Sequence, residues 1–152
     1  MVTNTLREFT RSGIALDAQK KTEYGKIQAR LSELSSNFSN RVLDATMAFK
    51  KHITDEKMLA GLPDSAKAAA AQLASQNDLA GWLFTLDIPS YLPIMSYADN
   101  RELREEMYRA YVTRASETGP YGGEFDNTAI IEETLSLRTK IANLLGFEHY
   151  AQ

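Results

Sequence analysis

Two histidines, two adjacent pairs of glutamates, one glycine-rich loop and a set of tyrosines are the residues whose types and spacing could do chemistry in this chain. Zinc-dependent hydrolysis needs two histidines one helical turn apart, with a glutamate beside the first as general base, the HExxH pattern. His52 and His149 are the only histidines, and neither has another at i+3 or i+4. Each reads as a surface or hydrogen-bonded imidazole. The loop GPYGGEF (119–125) lacks the GxxxxGK[ST] spacing of a phosphate cradle and joins two helices, so it reads as connective, with a part in ligand access as the lesser reading. Glu105-Glu106 and Glu132-Glu133 sit on amphipathic helices, where charge runs are solvated faces. Glu105 has Arg109 four residues after it and Arg101 four before, the spacing of helical ion pairs. Tyr91, Tyr97, Tyr108 and Tyr111 could line a binding wall. At helical spacing, packing in the core and at its rim is the preferred reading. No nucleophile elbow, dinucleotide fingerprint or calcium loop is present, so the sequence assigns no catalytic, cofactor-binding or metal residue.

The whole composition is that of an ordinary globular chain. Hydrophobic residues make up 43% and charged residues 24%, which is too apolar for a disordered segment. Seventeen basic and 20 acidic residues leave a net charge of −3, without the electrostatic footprint of a nucleic-acid binder. There is no cysteine, so disulfides and thiolate chemistry are excluded. No apolar run approaches the roughly 18 residues of a membrane span, and MVTNTLREFTRSG has no apolar signal-peptide core. A cytoplasmic location is the expectation.

The elements that must position these residues are mainly helical. The longest runs from Asp17 to Phe49, with apolar residues at Tyr24, Ile27, Leu31, Leu34, Phe38, Val42, Ala45 and Phe49, in steps of 3 or 4 that keep one stripe on one face. Asp17 is placed to cap it. About 30 residues make a helix of about 45 Å, long for a single domain of this size. Before it, residues 1–16 hold a weak helical patch, with Ile14 and Leu16 expected to pack back on the first turn.

Two short strands are expected, 48–53 and 82–88, forming one small antiparallel β-hairpin. In the second, Trp82, Phe84, Leu86 and Ile88 share one face, and Leu83, Thr85 and Asp87 the other. Between them Thr54 or Asp55 caps a single turn stopped by Gly61 and Pro63, and the alanine-rich 64–76 predicts a peripheral helix that buries little. Residues 89–98 predict a helix capped by Ser90, with Pro93 in its first turn. Asp99 and Glu102 have capping-box spacing ahead of a helix whose buried stripe is Leu103, Met107, Ala110, Tyr111 and Ala115. A last helix runs from Asp126 or Asn127 to Leu145. Ile131, Leu135, Ala142 and Leu145 form one flank and Ile130, Leu137, Ile141 and Leu144 the other, and Gly146 stands at a left-handed terminus before Phe147. Residues 1–152 read as one helical segment.

The order of several unrelated segments carries more information than any of them alone. IQARLSELSSNFSNRVLDAT, LAGLP, LDIPSYLPIMSYADNRELREEMYRAYVTRAS, DN and LSLRTKIANLLGFEHYA together resemble the thimet oligopeptidase/oligopeptidase A family of zinc metallopeptidases, from about Leu6 to Gln152. What they resemble is the middle of the N-terminal half, ahead of the catalytic region. The resemblance implies a mostly helical, two-lobed enzyme with a channel that admits short peptides. It also implies zinc held in the other lobe by two HExxH histidines and a downstream glutamate. Those positions have no counterpart here, so no catalytic or metal residue carries over. The chain is expected to be inactive alone, to supply part of the substrate-channel lobe, and to have the rest of the peptidase as its partner. The long stripe would then lean on helices outside the chain, and exposed apolar surface predicts a dimer or higher oligomer. The alternative is a free-standing helical interaction module without peptidase activity.

Overall fold

The computed structural model describes residues 2–151, with the side chains of residue 5 and of 8–151. Among the described residues, six helices and one two-stranded antiparallel sheet make a mainly α structure. In chain order these are α1 (Val2–Arg11), α2 (Ala18–Ala48), β1 (Lys51–Ile53), a 3₁₀ turn at Glu56–Leu59, α3 (Asp64–Gln76), β2 (Trp82–Phe84), α4 (Ile88–Tyr97), α5 (Arg101–Val112) and α6 (Thr128–Leu144). The chain divides into two compact units. One comprises residues 1–39 and 128–152, the other residues 40–127.

The first unit is built on α2 and α6. Asp17 Oδ1 accepts from Lys20 N–H at 2.9 Å, so α2 begins at its expected cap. Of the α2 stripe within this unit, Ile27 and Leu34 are buried, Tyr24 and Leu31 half-buried, and Phe38 exposed. Leu16 is half-buried beside Gly13 and Tyr24, whose hydroxyl donates to Arg11 O at 3.0 Å. Ile14 does not pack back as expected. It is exposed, because a run of turns over residues 12–15 leads it away from α2. At the end of α6, Phe147 N–H donates to Ala142 O at 2.8 Å and Gly146 N–H to Asn143 O at 3.1 Å, with Gly146 at φ +83°. These are the two bonds of a Schellman terminus, and they satisfy carbonyls that the helix leaves unpaired.

The second unit has a closed core. Phe49, Ile53, Leu59, Leu62, Phe84 and Leu86 meet Ile94, Ala98, Leu103, Met107 and Ala110, all of them buried. The sheet is shorter than the expected 48–53 and 82–88, and its register pairs Lys51 with Phe84, His52 with Leu83 and Ile53 with Trp82. β1 starts late because α2 continues through Ala48. β2 stops at Phe84 because Ser90 Oγ accepts from Thr85 N–H at 2.9 Å, and the chain turns into α4 at Ile88. That turn also overrides two expectations: Ser90 bonds this N–H instead of capping α4, and Pro93 lies inside the helix rather than in its first turn. Alternation along β2 fails as well. Leu83 and Phe84 are both buried, while Ile88, expected on the Phe84 face, is exposed. Leu83 is covered because α3 packs on β2. The alanines that predicted a peripheral helix are what let it approach: Ala70 and Ala74, four residues apart, are buried.

The helix caps follow the same logic. Asp55 caps the 3₁₀ turn by accepting from Lys57 N–H at 3.0 Å. At α5 the cap is Asn100, not Asp99, with its Oδ1 accepting from Leu103 N–H at 3.1 Å. Asp99 is held elsewhere, its N–H on Ala60 O at 2.8 Å. There Gly61 is at φ +85°, and a Cβ on it would stand 2.2 Å from Tyr97 O. Only glycine fits that approach. Ala115 falls outside α5, with φ +55°.

Candidate functional site

The clearest gathering of polar chemistry in the second unit lies on α4 and α5. Their mutual packing brings Tyr91 and Tyr111 into a stack, with centroids 4.2 Å apart and planes at 14°. The guanidinium of Arg114 lies over the Tyr111 ring at 3.9 Å from its centroid, a cation–π contact, and its NH1 donates to Tyr111 O. The Arg114 Nε is buried without a hydrogen-bond partner among the described residues. Burial raises the Tyr91 phenol above its ordinary value, with Tyr111 and Tyr108 adding to the rise and Arg114 opposing it. Tyr91 is therefore a neutral donor near pH 7, not a base. Tyr97 and Tyr108 are exposed, Tyr108 by 51%. The set of tyrosines thus splits: Tyr91 and Tyr111 pack at the rim of the core, and Tyr97 and Tyr108 face solvent. Phenols and a guanidinium can hold a ligand by stacking and hydrogen bonds. A Tyr91 phenol held protonated is a poor nucleophile and a poor general base near pH 7.

The remaining sequence candidates are scattered. His52 Nε2 lies 2.6 Å from Ala80 O, tied to the loop ahead of β2. His149 lines a cavity of about 380 Å³ in the first unit, with Arg11, Tyr24, Gln28, Phe147 and Tyr150. Among the described residues no three His, Asp or Glu side chains gather to hold a metal ion. Glu105 pairs with Arg109 at 2.9 Å, as its spacing predicts, and not with Arg101. Glu106 turns to Lys51 Nζ at 2.6 Å and ties α5 to β1. The GPYGGEF loop is anchored: the Tyr121 hydroxyl donates to Ala48 O, and its ring meets Phe125 edge-on at 5.8 Å. Beside it Arg41 donates to Asp126 O.

Glu133 has a role that its neighbours in sequence do not reveal. Arg30 Nε donates to Glu133 Oε1 at 2.7 Å and NH2 to Oε2 at 2.8 Å, a two-bond clamp from α2 to α6, while Arg30 NH1 meets Glu33 at 2.8 Å. These bonds hold the Glu133 carboxyl below its ordinary value and raise Arg30. Nothing local in the sequence predicts a pair so far apart along the chain. The Arg114 contact did carry a local signal, an arginine three residues after a tyrosine, although α5 ends at Val112 and Arg114 lies in the turn beyond it.

Beside the clamp, α2 and α6 flank a groove of about 560 Å³. Its floor includes Leu34 and Ile130, both buried, and its walls include Phe38, Ile131 and Leu135, the last exposed by 57%. No helix among the described residues is long and apolar enough to cross a membrane.

Comparison with known proteins places this arrangement in context. The model of Peptidase family M3 matches residues 94–152. Oligopeptidase A of Escherichia coli (strain K12) is 58% identical over 150 residues, which is 99% of this chain and 22% of that protein. The probable cytosolic oligopeptidase A of Arabidopsis thaliana is 48% identical over 159 residues, covering 100% of this chain and 22% of its own length. Saccharolysin of Saccharomyces cerevisiae is 29% identical over 153 residues, 99% of this chain and 20% of that protein. The chain thus spans about 22% of the length of the oligopeptidase A relatives it matches.

Proposed function

We propose that the chain is a segment of a relative of oligopeptidase A and forms a non-catalytic, helical part of a cytoplasmic enzyme that hydrolyses short peptides. The observation that carries this reading is the 58% identity to oligopeptidase A over 99% of the chain. In this reading the segment lies in the N-terminal, non-catalytic lobe and contributes to the wall of the substrate channel. Tyr97 and Tyr108, exposed on α4 and α5, are the side chains that fit contact with a peptide, since phenols stack on and hydrogen-bond to backbone amides.

Zinc belongs to the same proposal, in the part of the enzyme beyond the matched segment. The residues present here do not fit it: His52 is engaged with Ala80 O, and no set of described His, Asp and Glu side chains converges on a point. The chemistry a zinc ion supplies, activation of water, is therefore assigned to none of these side chains.

Two measurements test the reading. The 152-residue chain should neither bind stoichiometric zinc nor cleave an oligopeptide, and the gene should continue into an HExxH-containing region whose product does both. A native stop codon after Gln152 would leave the free-standing interaction module instead. For the channel wall, Tyr108→Ser in the longer protein should raise KM for short peptides and leave kcat unchanged, because it removes contacts made equally to substrate and transition state. An unchanged KM would take the tyrosine face out of the channel.

A further inference from the structure

Two departures from local rules meet just beyond the end of α5. Arg114 Nε is buried and finds no acceptor among the described residues, and none of their carboxylates pairs with its guanidinium. A guanidinium is a permanent cation, and a shielded N–H of such a group is rarely left unbonded. The next residue, Ala115, stands at φ +55°, a left-handed backbone that a residue with a Cβ keeps only where its surroundings hold it. Here they do. Asn127 N–H donates to Ala115 O at 3.1 Å, and Ser116 N–H donates to Thr113 O at 3.2 Å.

The guanidinium is also fixed. It lies 3.9 Å over the centroid of Tyr111, whose ring stacks on Tyr91, and its Nη1 donates to Tyr111 O. The edge left for a ligand is the fork of Nε and Nη2. Arg30 shows what that fork takes, because it grips the two oxygens of Glu133 with the same pair of atoms at 2.7 and 2.8 Å. We infer that the Nε–Nη2 fork of Arg114 binds the terminal carboxylate of a short peptide beside the Tyr91–Tyr111 stack. The inference rests on the reading above, that the chain is part of a peptide-hydrolysing enzyme, and it names the group by which a peptide is held. Charge favours a carboxylate over a phosphomonoester, which carries about two negative charges. Arg114 is the charged group that acts on the Tyr91 phenol among the described residues, and Tyr91 stays a neutral donor for a peptide carbonyl. Arg114 as a whole is half-buried, and with the backbone held on both sides, rotation of the side chain presents the fork. Tyr108, exposed on the adjoining helix, continues the same surface.

NMR of the arginine Nε–H groups of the 152-residue chain reports on the fork directly. The Arg114 signal is the one that Arg114→Lys removes or, where that variant does not fold, the one with cross-peaks to the Tyr111 ring. It is followed in the wild-type chain while acetyl-Ala-Ala-Phe is added with a free C-terminal carboxylate, and again with that carboxylate amidated. The expected result is a saturable shift with the free acid and binding at least about tenfold weaker for the amide, which cannot form paired charge-assisted bonds. Equal affinity for acid and amide, or no shift with either, would overturn the inference. So would acetate alone binding as tightly as the peptide, since the tyrosines would then contribute nothing. The source of the carboxylate is checked by kinetics in the full product of the gene. There Arg114→Lys should raise KM about tenfold for peptides with a free C-terminus and leave it unchanged for amidated ones. An equal rise for both would overturn the inference, the fork then being filled by a carboxylate of the protein itself. Cleavage is scored separately. Selective binding of the acid by the 152-residue chain, without cleavage by the longer protein, keeps the carboxylate site and removes the peptidase reading. Cleavage without any difference between acid and amide does the reverse.

Discussion

The two compact units solve the problem of a hydrophobic core in different ways. Residues 40–127 wrap helices and a short sheet around one another, so that Phe49, Leu59, Phe84, Ile94, Leu103 and Met107 lose nearly all contact with water. Residues 1–39 and 128–152 have, among the side chains described, only Ile27, Leu34, Ile130, Ile141 and Ala142 buried, with an apolar groove beside them. A helix pair has a single seam, and whatever lies to either side of that seam stays wet unless a third element covers it. The sheet unit has layers enough to close. The lesson is that a stretch with equally good helical periodicity can finish its core or leave it to others, and the sequence pattern looks the same in both.

Substitutions can sharpen or break that contrast. Met107→Ala, at the centre of the closed core, should destabilise the 152-residue chain by about 2–5 kcal/mol, while Leu34→Ala should fall at the low end of that range because its surroundings are open on one side. Urea unfolding measures both, and equal losses would remove the distinction between the units. Gly61→Ala should cost at least about 1–2 kcal/mol from the left-handed backbone alone, and more from the approach to Tyr97 O, also read from urea midpoints. A smaller effect comes from the Arg30–Glu133 clamp. The depressed folded value of Glu133 means that its contribution is present above the ordinary carboxyl value of 4.5 and is lost as pH falls through the lower folded value. Glu133→Gln should therefore lower the thermal midpoint modestly at pH 7 and match the wild type in strong acid. The exposure of both partners keeps the effect small. Smallest of all, Leu135→Ser should shift stability of the 152-residue chain by no more than about 0.5 kcal/mol, since the side chain is already more than half exposed. A large loss there would mean that the groove is closed in solution.

Much of the fold was legible because its causes are local. The steps of 3 and 4 from Tyr24 to Phe49 predict α2 to within a residue at each end, Asp17 predicts its cap, and Gly146 followed by Phe147 predicts the terminus of α6. The misreadings share a cause too. Ser90 as a helix cap, Asp99 in a capping box and alanine-rich α3 as a peripheral helix were each plausible from their neighbours, and each was decided by a group brought in from elsewhere. For the candidate site, the sequence offered residue types without partners. It could name Tyr91, Tyr108 and Tyr111 but not the stacking of Tyr91 on Tyr111, and it could name Glu133 but not Arg30 as its partner.

By itself, then, the sequence determined where the backbone hydrogen-bonds to its own near neighbours: helix, cap, turn and glycine terminus, all set within about four residues. It also carries, through the order of its segments, the likeness to oligopeptidase A. The tertiary structure alone decided which apolar faces are dry. Burial depends on what arrives from distant parts of the chain, and so Leu83 is closed off by the small alanines of α3 while Leu135, on an equally regular helix, still faces water.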